Sequence, residues 1–113
     1  MVAKNILNAA PPYQVEQALR RLGADLKTAR LRRNLKILDV AKKIGTGPRP
    51  ISDAEKGKAS TSVSVYMALL WAYNMLDQMS EVADPILDTE GQALSRSPLR
   101  ARSKKKIDLD SDF

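Results

Sequence analysis

Leu35-Lys36-Ile37-Leu38-Asp39-Val40-Ala41-Lys42-Lys43-Ile44-Gly45-Thr46-Gly47-Pro48-Arg49-Pro50-Ile51-Ser52-Asp53-Ala54-Glu55-Lys56-Gly57 is the stretch on which the fold turns. Val40, Ala41 and Ile44 recur at helical spacing, which predicts a short helix from about Ile37 to Ile44 with one apolar stripe. Gly45 follows, where a left-handed helix end needs a residue without a Cβ. Pro48 suits the first turn of a second helix, because the N–H it lacks has no helical acceptor there. Ile51 and Ala54 are expected to face inward, and Gly57 to stop this second helix. Pro50 disfavours helical backbone at Arg49. The second helix therefore begins either at Pro48 or only at Pro50, in which case Arg49 reaches out from the turn.

Upstream, Val15, Leu19, Leu22, Leu26 and Ala29 follow helical spacing between about Tyr13 and Arg33. The opposite side carries Arg20, Arg21, Lys27, Arg32 and Arg33. Downstream, Ser60-Thr61-Ser62 offers caps for a helix over about 62–73, and Asn74 suits a left-handed end to it. That helix is apolar nearly all round, from Val63 to Tyr73, so it is buried on more than one side. One side completes the core. The other, with Trp71, Met75 and Met79, either belongs to the core as well or meets a second subunit. A further helix is expected at about 77–83, ended by Pro85. The chain thus divides into a flexible arm (1–12), a helical domain (13–84) and a flexible tail (85–113).

At 113 residues this is one small domain with tails, of a size that often gains stability by oligomerising. The net charge of +6 is segregated. Residues 1–60 hold 13 Lys and Arg against 5 Asp and Glu, a net of +8. Residues 61–95 hold none against 5, and residues 96–113 hold 6 against 3. Two short helices joined by a glycine turn, in the basic half of the chain, suggest a helix-turn-helix that lays its second helix in the major groove of DNA. A positive face there is what binding to phosphates requires, although an uneven but merely solvated surface has the same composition. The tail turns from the basic run 95–106 to Ile107-Asp108-Leu109-Asp110-Ser111-Asp112-Phe113. This alternation fits either a short motif that orders on a protein partner or acids that neutralise the neighbouring lysines.

Leu35, Val40-Ala41, Ile44-Gly45, Ile51, Glu55 and Gly57 together resemble the lambda-repressor-like (XRE) helix-turn-helix family, over roughly Leu22 to Asp84. The resemblance implies an all-α fold, a bundle of about five short helices with a central helix-turn-helix. It also implies a homodimer on a two-fold operator of double-stranded DNA, with Trp71, Met75 and Met79 at the dimer interface. Base-facing positions by this correspondence are Pro48, Arg49, Ser52 and Asp53. Arg49 is suited to guanine, whose O6 and N7 a guanidinium can bond together. Asp53 either accepts from a cytosine amino group or is a surface acid that weakens binding. Lys36, Lys43, Lys56, Lys58 and Arg33 are candidates for phosphates. The arginine matching Arg30 pairs in this family with the glutamate matching Glu55, so these two are an expected structural salt bridge. Two positions depart from the family pattern. Lys36 stands where a Thr or Asn cap is usual, and Ile37 where a phosphate-binding glutamine is usual.

The layout Leu22-Gly23-Ala24-Asp25-Leu26, with Arg30, Arg33 and a short C-terminal extension, looks most like HipB-type antitoxins. These are DNA-binding partners of HipA-like kinase toxins that repress their own operon. Ile37, Pro48 and Pro50 leave open an adaptor that has lost DNA reading and only sequesters a partner. An enzyme is not indicated. The chain has no His and no Cys, hence no thiolate site and no imidazole base, and neither a glycine-rich phosphate loop nor any cofactor motif. Met1 to Ala10 has one lysine and too short an apolar run for a signal peptide. Val65 to Leu76 is too short to span a bilayer. A cytoplasmic, nucleoid-associated protein without a membrane partner is expected.

Overall fold

A computed structural model describes residues 5–96. Its elements are α1 (Ile6–Ala9), α2 (Tyr13–Arg32), α3 (Ile37–Ile44), α4 (Pro48–Glu55), α5 (Val63–Ala72), a 3-10 helix (Leu76–Glu81) and α6 (Thr89–Ser95). Among the described residues there is no strand, and the fold is all-α as expected. The chain forms two compact units, one ending at Asp77 and the other beginning at Gln78. The basic tail beyond Arg96 and its alternating acidic end, like Lys4, lie outside the described residues.

In the first unit α4 is the central element, packed against α2, α3 and α5. Its inward pair Ile51 and Ala54 has 0% exposure. Around them sit Leu26 and Ala29 of α2, Val40 and Ala41 of α3, and Tyr66, Leu69, Leu70 and Ala72 of α5, all buried. Each fully buried Ile or Leu contributes about 1.5–3 kcal/mol, so this one cluster carries most of the stability. Gly23 and Gly57 set the crossing of α2 over the end of α4. A Cβ on Gly23 would meet the Ala54 carbonyl oxygen and lie 2.7 Å from that of Glu55. A Cβ on Gly57, at φ +73°, would lie 2.5 Å from the Leu19 carbonyl oxygen. Only glycines allow backbones to approach this closely.

The helix ends follow local chemistry. Gly45 adopts φ 81° and donates its N–H to the Ala41 carbonyl, closing α3 in the left-handed manner its composition predicts. The Asp39 carboxylate accepts the Lys36 N–H at 3.0 Å, which compensates for an ammonium that can only donate. Ser62 caps α5 by accepting the Ser64 N–H. Asn74 closes the region after α5 at φ 60°.

Four elements depart from the sequence-based expectation or decide between its alternatives. Helix α4 starts at Pro48, not Pro50, so Arg49 is helical. Both prolines fall in the first turn, where the missing N–H groups have no acceptor in any case, and this outweighs the preference of Pro50 against helical backbone at Arg49. The segment expected as an α-helix over 77–83 is a 3-10 helix over Leu76–Glu81. It is bounded by left-handed Asn74 and Ala83, and short connectors of this kind commonly take 3-10 geometry. Finally, α1 and α6 occupy parts of the stretches read as arm and tail. Asn5 and Asp88 cap them through the N–H groups of Asn8 and Gly91. One or two turns are too few for periodicity to reveal.

The second unit, described from Gln78 to Arg96, holds α6 and the preceding turn. The Gln92 amide donates to the carbonyls of Pro85 and Ile86 at 3.0 and 3.1 Å, folding α6 back on that turn.

Candidate nucleic-acid interface

The outer side of α4 is the candidate contact surface, and the core residues of the same helix hold it in place. With Ile51 and Ala54 buried, Pro48 and Arg49 stand exposed at its leading edge, and Ser52 and Asp53 are half-buried behind them. The Arg49 side chain is 84% exposed. A duplex can therefore approach the start of α4. Gly47 supplies no side-chain cap, and with prolines at 48 and 50 the first three residues of α4 carry only the Arg49 N–H.

The end of α4 is tethered from inside. Arg30 donates from Nε to Glu55 Oε2 at 2.7 Å and from Nη2 to Oε1 at 3.1 Å. Its third donor, Nη1, reaches the Leu35 carbonyl at 2.9 Å. Both side chains are nearly dry, at 9% and 7% exposure. The bond to Glu55 raises the Arg30 pKa further above its ordinary value, outweighing the opposing effect of burial. One guanidinium thus joins α2, the loop leading into α3, and the end of α4. Two parallel charge-assisted bonds fix an angle as well as a distance.

Beyond α4 the chain turns at Gly57 and comes back. Lys58 donates its N–H to the Asp53 carbonyl at 3.1 Å, and its own carbonyl accepts the Tyr66 hydroxyl at 2.9 Å. Lys56 is exposed at this turn. A cleft of about 190 Å³ beside it is lined by the cations Arg20, Lys56 and Lys58, which suit a backbone phosphate, and also by the acid Glu16 and by apolar residues such as Leu19. Arg20 is also bridged to Glu16 at 3.2 Å, but both side chains are largely open to solvent. Lys36 is exposed at the start of α3. Ile37, next to it, is half-buried and has no polar atom to offer.

Two expected phosphate ligands are placed elsewhere. Arg33 donates to the carbonyls of Ala29 and Tyr73 at 2.9 and 3.0 Å, with its guanidinium 5.6 Å from the Tyr73 ring centre. Lys43 points to the Ala72 carbonyl at 3.5 Å and lies 5.7 Å from the centre of the Trp71 ring. Both cations serve the end of α5, where unpaired carbonyls and the negative end of the helix dipole attract positive charge. No sequence motif marks that role; a bare charge count assigns both to the DNA side.

Asp53 is also occupied. Its carboxylate is 3.3 Å from Lys58 Nζ and 4.0 Å from Arg49 Nε. The Arg49–Asp53 pairing was legible as an i,i+4 spacing, whereas Lys58 meets Asp53 only because Gly57 reverses the chain. Of the apolar residues expected at a subunit contact, Trp71 is 53% exposed, which excludes it from the core of the single chain. Met75 and Met79 are each half-buried.

A family model described as helix-turn-helix matches residues 26–75, the span from the buried half of α2 to just past α5. No curated protein and no solved structure matches the chain. Among the described residues no helix is long and apolar enough to cross a membrane.

Proposed function

We propose, on the premise that residues 26–75 form a lambda-repressor-like helix-turn-helix domain, that the protein is a sequence-specific transcriptional repressor of double-stranded DNA. The observation that carries this is the exposed leading edge of α4, with Arg49 84% open above a core that fixes the helix. Arg49 reads base edges, with Pro48 and Ser52 beside it. Lys56, Lys58 and Lys36 hold phosphates. The reading includes a homodimer on a two-fold site, supported by Trp71 standing exposed on α5. Its finer form is a HipB-like antitoxin that binds a HipA-like kinase and represses its own operon. That form rests on the layout of residues 22–33. A kinase-like protein that is encoded beside this gene and copurifies with it is the expected finding.

Titrating duplex DNA at several salt concentrations tests the main reading. Several phosphate contacts predict that log K falls steeply with log salt. Arg49→Ala is expected to cost roughly 1–3 kcal/mol at one base position. Lys56→Ala should weaken binding to every sequence alike and reduce the salt slope by about one unit. If both variants bind selected and random DNA as the parent does, α4 is not the reading element. The second reading, an adaptor that sequesters a protein partner, is favoured by the apolar Ile37 at the start of α3. It predicts weak, sequence-blind DNA binding throughout.

A further inference from the structure

The charge on the outer side of α4 is partly cancelled from within. The main chain of Lys58 is anchored, its N–H bonded to the Asp53 carbonyl and its carbonyl to the Tyr66 hydroxyl, so its side chain starts from a fixed point. From there its ammonium reaches the Asp53 carboxylate at 3.3 Å, while Arg49 lies 4.0 Å away on the other side. The Asp53 side chain is 23% exposed, against 46% for Lys58. It lines a cleft of about 230 Å³ with Pro50, Ser60, Thr61, Ser62 and Val65. A sheltered acid between two better-exposed cations is placed to hold them.

We propose that Asp53 is a brake on DNA binding: its carboxylate occupies Lys58 and Arg49 in the free protein, and a duplex must take both cations from it. The proposal rests on the DNA-binding reading above and assigns Asp53 a role other than contact with a base. The physical consequence is selectivity. A random duplex offers phosphates, which compete with the carboxylate for Lys58 at little net gain. A site with guanine at the right position also offers Arg49 two acceptors in a fixed geometry, enough to compensate for leaving Asp53. Binding to random DNA is therefore suppressed more than binding to the selected site.

The test is Asp53→Asn, which keeps the shape and removes the charge, measured in the full chain against a selected duplex and a random one. Exposed ion pairs of this kind are each worth a factor of about 1.5–5 in an equilibrium constant. Affinity for random DNA is expected to rise roughly 3- to 10-fold at low salt. The salt slope should steepen by about 0.9 as Lys58 gains a phosphate, and the ratio of selected to random binding should fall. In a Lys58→Ala background most of the gain should vanish. A gain undiminished there reflects only the loss of one negative charge and overturns the brake. So does a variant that binds both duplexes like the parent, or one that weakens for the selected sequence alone, which makes Asp53 a base reader. A parent that does not bind while Asp53→Asn does bind supports a strong brake. If neither binds any duplex, the DNA-binding reading fails and the brake fails with it.

Discussion

Replacing Arg30 with methionine keeps most of the apolar stem and removes three donors at once. Glu55, with a side chain only 7% exposed, then holds a carboxylate with no cation, and the Leu35 carbonyl loses its 2.9 Å partner. Stranding one member of a buried pair costs about 3–5 kcal/mol, and the orphaned carbonyl adds about 1 kcal/mol. Against a total stability of roughly 5–15 kcal/mol, this is between about a quarter and all of the margin. By contrast, Arg20–Glu16, at 65% and 41% exposure, is worth less than about 0.5 kcal/mol, so Arg20→Met serves as the control. The assay is urea unfolding followed by circular dichroism, for Arg30→Met, Glu55→Met and the double variant. Removing both charges leaves neither buried alone, so the double variant should recover about 2 kcal/mol or more relative to the sum of the singles. Because the pair is dry, its coupling should persist in 1 M salt, where surface pairs are screened (a Debye length of about 3 Å). Additive single effects, or a cost below about 1 kcal/mol for Arg30→Met, would refute the claim that this pair locks α2 to the end of α4.

Gly23→Ala would gain about 1 kcal/mol in helix propensity. The added Cβ, however, meets main-chain atoms of Ala54, Glu55 and Gly57, which cannot swing aside. The overpacking cost lies at or above the upper end of about 1–3 kcal/mol, for an expected net loss near 2 kcal/mol; a higher unfolding midpoint would show that the helices do not approach so closely. Tyr73 has a buried hydroxyl without a hydrogen-bond partner among the described residues. Tyr73→Phe should therefore leave stability unchanged or raise it by up to about 1 kcal/mol; a comparable loss in urea unfolding would reveal a bond to that hydroxyl. Burial, with the negative charge of Glu55 adding to it, pushes the Tyr73 phenol above its ordinary pKa, and burial does the same for Tyr66. The unfolded chain then releases these protons first. Stability is fully present below about pH 10 and falls as pH rises through the folded-state values. Unfolding at pH 8, 10 and 11 should show this alkaline loss, and Tyr73→Phe should shrink it.

Much of this molecule follows from local chemistry acting over a few residues. The spacing of Val40, Ala41, Ile44, Ile51 and Ala54, the left-handed Gly45 and Gly57, and the first-turn Pro48 all act within one or two turns, so the all-α fold and its central helix pair are legible from the chain alone. Charge segregation is likewise a property of composition, and it identifies the basic half. What each cation does is not local. Arg33, Lys43 and Lys58 are alike as charges, yet the first two serve carbonyls at the end of α5 and the third meets Asp53. Their partners lie across turns and helix crossings whose geometry only packing determines. The same holds for Gly23, ordinary within its own helix and required only because α4 passes against it. Periodicity shows which side of a helix is buried. Only the packed chain decides which charges remain free to meet a ligand, because an ion pair depends on a few ångströms that sequence separation does not record.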